Sequence, residues 1–114
     1  MIKVKWDLPE AVVLLDALLA NWGRTSVPDT TLLELSQMYK RKAMSTGISF
    51  DEKYRNLAGL KMQLACLQYI VSNGHTGMPN AGKVFYEAYS LFQEDPETFR
   101  RIKTDFYSRF GTMK

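Results

Sequence analysis

The sequence predicts an all-α protein, a single compact bundle of about five helices forming one domain over residues 1–114. Three observations carry that prediction. Apolar residues recur every three to four positions in five separate segments, the spacing of one helical face. Most of those segments are preceded by residues that start helices, and no run alternates apolar and polar with the β-branched enrichment of a strand. At 114 residues and 46% apolar composition, the chain can bury about two thirds of its unfolded surface in one core without a covalent staple.

The first helix opens at Asp7, with Glu10 three residues on as an acidic capping box and Pro9 in the first turn. Val12, Leu15, Leu18, Leu19 and Trp22 form its apolar stripe, and Gly23 is its stop. Ser26, Pro28 and Asp29 repeat the start signal for a second helix over 29–44, which buries Leu32, Leu35 and Tyr39. Its last turn carries Lys40, Arg41 and Lys42, cations that complement the helix dipole. After a loop at 45–51, a third helix over 56–72 shows the stripe Leu57, Leu60, Leu64, Leu67 and Val71, with Ala58, Met62, Ala65, Cys66 and Tyr69 on its other side. A helix apolar over most of its circumference is expected at the centre of a bundle. Asn73 and Gly74 close it. Asn80 is the expected cap of a fourth helix that turns Val84, Phe85, Ala88, Leu91 and Phe92 inward, and Asp95 with Pro96 opens a fifth ending near Phe110.

Charge is distributed unevenly along this nearly balanced chain. Residues 35–86 hold seven basic and two acidic side chains, a net of +5, against −2 for residues 1–34 (three basic, five acidic) and zero for 87–114 (five of each). The seven are Lys40, Arg41, Lys42, Lys53, Arg55, Lys61 and Lys83, and they are the candidate phosphate contacts of a nucleic-acid-binding surface. The overall surplus of +3 gives only modest non-specific attraction, so clustering has to carry any such interaction.

Several chemistries find little support. Gly77, Gly82 and Lys83 match the G-x-x-x-x-G-K spacing of a phosphate-binding loop, but Val84 stands where a hydroxyl must hold magnesium and a helix precedes the loop where a strand is required. A turn and a helix cap explain the glycines equally well; the start of a helix beside Lys83 also suits a single backbone phosphate. One histidine, His75, and one cysteine, Cys66, do not make a zinc site. The acids mark helix starts or solvated faces, so no catalytic residues, metal or cofactor are expected, and no small-molecule substrate. The lone cysteine excludes an internal disulfide and fits a reducing compartment. No stretch approaches the roughly 18 consecutive apolar residues of a membrane span, and the N-terminus lacks a signal-peptide pattern. A cytoplasmic location without membrane contact is expected.

Trp6 and Asp7 open a series that continues through the apolar run 10–19, Leu35 and Ser36, then Tyr54, Arg55, Asn56, Leu57, Ala58, Gly59, Leu60, Lys61, Met62, Gln63, Leu64 and Ala65, and finally Gly77 and the segment 80–85 before an aromatic helix. Over about residues 5 to 100 this order resembles an N-terminal helical module of bacterial proteins, among them HNH endonucleases of the modified-DNA restriction type. Gly82 departs from it where Ser is expected, and the relatives continue into an effector domain. The resemblance implies a nucleic-acid-associated accessory module of a restriction or defence-type system. It does not imply nuclease activity, because the catalytic histidines and metal ligands of that chemistry are absent. The first three helices also loosely resemble a Myb-like, helix-turn-helix-like fold, with Trp6 at the opening and Arg55 before the third helix.

Two functions follow as expectations. The first is a non-catalytic DNA-binding accessory module working through phosphate contacts. The second is a protein-interaction module, with a protein partner or as a homodimer, suggested by the aromatic C-terminal third and the near-neutral flanks.

Overall fold

The computed structural model describes residues 5–22, 27–79 and 81–111. They form five helices, α1 (Leu8–Ala20), α2 (Asp29–Ser45), α3 (Leu57–Val71), α4 (Lys83–Glu94) and α5 (Pro96–Phe110), with no strand among the described residues. The radius of gyration of 13.6 Å matches the value of about 13 Å expected of a compact domain this long.

The central helix is α1, not α3 as its apolar circumference suggests. Ala11, Val12, Val13, Leu14 and Leu15 are all fully buried, and α1 touches each of the other four helices. Five consecutive buried residues cover every direction around a helix, which only an element enclosed on all sides can satisfy. Helix α3 buries its stripe of Leu60, Leu64 and Leu67 but leaves Ala58, Lys61 and Met62 in solvent. Only part of its second apolar side, Ala58 and Met62, is an outer surface; Cys66 on that side is buried.

Local start signals act largely as their chemistry dictates. The Asp7 carboxylate accepts the Glu10 N–H and the Glu10 carboxylate accepts the Asp7 N–H, both at 3.0 Å, closing the capping box. Asn56 Oδ1 accepts the Gly59 N–H at 2.9 Å at the head of α3, and Asp95 takes both the N–H and hydroxyl of Thr98 at the head of α5. Helix α2 starts at Asp29 behind Pro28 with no side-chain cap, and α4 starts at Lys83 behind Gly82, also uncapped. The expected signals at Gly23, Ser26 and Asn80 lie outside the described residues. Asn73 and Gly74 end α3 in left-handed conformations, with φ of 58° and 86°.

Two expected core residues point outward. Trp22 lies beyond the last turn of α1 and is 47% exposed, and Phe92 is 38% exposed at the α4–α5 corner, where its ring meets Phe99 edge-on at 5.2 Å. Around α1 the aromatic residues form a chain, Phe85 to Trp6 to Tyr39 to Phe106 to Phe110, at centroid spacings of 5.1–5.8 Å. The Tyr39 hydroxyl donates to the Glu10 carbonyl at 2.9 Å, satisfying a buried polar tip.

Candidate nucleic-acid interface

Seven central cations define the candidate interface, and the fold gives them different environments. Arg55 is almost enclosed by the fold. Its guanidinium donates to Glu10 Oε1 at 3.2 Å and to the Lys5 carbonyl at 3.3 Å. It lies 4.1 Å from the Trp6 ring centroid and 4.7 Å from that of Tyr54. Its side chain is 8% exposed and that of Glu10 is 2%. The expectation that Arg55 contacts phosphate at the surface is corrected: an arginine enclosed by a carboxylate and two aromatic faces has its charge already compensated and its donors turned inward. Burial pushes the Glu10 carboxyl above its ordinary value despite the opposing pull of the Arg55 charge.

Lys42 pairs with Asp7 at 2.6 Å. Partial burial works against its charge, but the Asp7 hydrogen bond and the Glu10 carboxylate outweigh it and hold the ammonium above its usual range. Arg41 donates to the Phe110 carbonyl at the end of α5, which ties α2 to α5. Lys61 pairs with Asp29 at 3.2 Å, both side chains more than half exposed. Lys40, half-buried, and the exposed Lys53 and Lys83 have no carboxylate partner among the described residues.

Lys61 stands apart from the basic triplet. Lys61 is held at Asp29, the first residue of α2, whereas Lys40, Arg41 and Lys42 end that helix; twelve residues of rise separate Asp29 from Arg41, roughly 18 Å along the axis. What the fold does bring together lies at the N-terminus of α1, where Asp7 and Glu10 receive Lys42 and Arg55. Lys53 flanks this corner in the turn before Arg55. Lys83 opens the helix whose Phe85 ring lies 5.3 Å from Trp6.

The lookalike of a phosphate-binding loop serves packing. Gly77 adopts φ of 91°, and a Cβ there would stand 2.2 Å from the Ala65 carbonyl oxygen and 2.6 Å from the Tyr69 nitrogen. Met78 N–H donates to that same carbonyl at 3.0 Å, so the loop is pressed onto the backbone of α3. His75 is exposed in this loop, and Cys66 is 4% exposed with burial pushing its thiol up. Among the described residues no three His, Cys, Asp or Glu side chains are placed to hold a metal ion, and no helix is long and apolar enough to cross a membrane. A shallow open groove along α5, between Glu97, Arg101, Thr104 and Ser108, is lined by none of the seven cations.

Residue spacing gave no sign of the Arg55 environment, because its partner Glu10 lies 45 positions earlier and already has a local role in the capping box. Comparison of the chain with family models, curated proteins and solved structures finds no match.

Proposed function

We propose that this domain is a non-catalytic protein-interaction module whose contact surface is the outer seam of α2 and α3. The observation that carries the reading is the exposure of large apolar side chains there. Two contacts set α2 and α3 antiparallel, Lys61 with Asp29 and the Ser36 hydroxyl donating to the Arg55 carbonyl at 2.7 Å. Leu33, one turn from Asp29, and Ala58, one turn from Lys61, therefore border the same seam, and Met62 follows Ala58 one turn further along α3. Met78, bonded to Ala65 one turn beyond Met62, extends it. Leu33, Met62 and Met78 are 50%, 57% and 41% exposed. Flexible methionines with a leucine suit recognition of an apolar protein surface.

Sedimentation velocity over a wide concentration range tests the self-associating form, with a dimer expected that Met62→Asp abolishes. A monomer throughout, with wild type and variant indistinguishable, counts against it.

DNA binding is the second reading, favoured by the lack of a carboxylate partner at Lys40, Lys53 and Lys83 among the described residues. Each neutralised phosphate contributes about 0.9 to the slope of log affinity against log salt. Three such lysines predict a slope near −3 in filter binding, roughly half of what all seven cations would give.

A further inference from the structure

Arg55 combines three features seldom found in one residue. Its backbone lies in the left-handed region at φ of 48°, a strained position for a side-chain-bearing residue. The strain is held on one side by the Ser36 hydroxyl on its carbonyl and on the other by its guanidinium, seated on Glu10 between Trp6 and Tyr54. The buried ion pair is also incompletely satisfied: Glu10 Oε2 and Arg55 Nε have no hydrogen-bond partner among the described residues.

We propose that Arg55 is a proton-released latch, fastening the segment at Lys5 and Trp6 to the turn before α3 while Glu10 is ionised and swinging into solvent when Glu10 takes up a proton. The attraction between the two charges is what offsets taking the guanidinium out of water. A proton on Glu10 removes that offset while an orphaned nitrogen and a strained backbone remain, so solvent becomes the better place for the side chain. Departure of Arg55 uncovers one face of Trp6 and one of Tyr54 and frees a cation beside Lys42.

The groups facing Glu10 define when the latch opens. From the cap of α1 there is Asp7, from α2 Lys42 and Tyr39, and from the turn before α3 Tyr54 and Arg55. Burial raises the titration of both tyrosines, and Lys42 is also held above its ordinary value, so none of these three changes charge on mild acidification. Burial of Glu10 places its own titration above the ordinary glutamate value.

The two tryptophans are Trp6 and Trp22, so a Trp22→Phe background reports Trp6 alone. Acidified from about pH 7 to about pH 4, this protein is expected to show a reversible red shift of Trp6 emission, with a midpoint above the ordinary glutamate value and unchanged helical circular dichroism. Glu10→Gln in the same background should be red-shifted at every pH, and Asp7→Asn should keep the transition. Constant emission overturns the latch. So does a shift that appears only together with loss of helicity, one that survives in Glu10→Gln, or one that vanishes in Asp7→Asn. Should Glu10→Gln fail to fold, the Trp22→Phe titration read by both signals still decides.

Discussion

Two ion pairs in this protein have the same length and opposite meaning. Arg55 to Glu10 and Lys61 to Asp29 are both 3.2 Å, but the first pair is 8% and 2% exposed and the second 53% and 58%. In water the attraction at such a distance is about 1 kcal/mol and is largely offset by ordering two flexible side chains. Out of water each charge depends on the other, and removing one leaves the other stranded. Six positions in the chain separate the two cations, and nothing in their local sequence tells them apart. A basic residue is a surface charge only where the fold leaves it one.

The comparison is broken most directly at the buried pair. Arg55→Ala should lower stability by about 3–5 kcal/mol, the usual cost of leaving one buried charge alone, read from the midpoint of urea denaturation. Replacing both partners by apolar residues, Glu10→Leu with Arg55→Met, should recover most of that loss, because neither charge then has to be desolvated. Failure to recover would mean that the aromatic clamp, the Lys5 contact and the Glu10 bond to the Asp7 N–H together outweigh the charges.

An intermediate effect, on the order of 1 kcal/mol, is expected for Lys42→Ala, whose pair with Asp7 is half shielded. It should weaken in concentrated salt. The smallest effect belongs to Lys61→Ala, no more than a few tenths of a kcal/mol by the same denaturation experiment. A larger loss would place the Lys61 pair in the class of the Arg55 pair.

Acidity sharpens the contrast further. Because burial raises Glu10 above its unfolded value, the native state binds more protons than the unfolded chain between the two titration points. Glu10 therefore favours folding below that window and loses this contribution as pH rises through it. The stability of the wild type relative to Glu10→Gln should fall from mildly acidic to neutral pH in parallel denaturation series; a constant difference would contradict the raised titration.

Much of the fold is legible in the sequence because helix starts and apolar spacing are local. Asp7 with Glu10, Asn56 and Asp95 act within three residues of themselves, and all three sit at the head of the helix they announce. The centre of the bundle was not legible in the same way. Helix α3 carries apolar residues around its circumference, yet the enclosed helix is α1, and which apolar face meets solvent depends on how the other helices pack. The candidate interface was legible only as a list of charges. Arg55 and Glu10 meet across 45 positions, and Asp29 lies 32 residues before the Lys61 it neutralises. Such pairings are properties of the tertiary arrangement, invisible to any window short enough to show a helix.

Gly77 has a consequence for the seam beside it. A side chain at that position cannot be accommodated by rotamer adjustment, since its first carbon would collide with the backbone of α3 itself. A chain of this architecture that replaces the glycine has to lift the whole connection to α4 and carry Met78 away with it. One missing methyl group thus sets how closely that connection lies, and with it the outline of the surface that a partner meets.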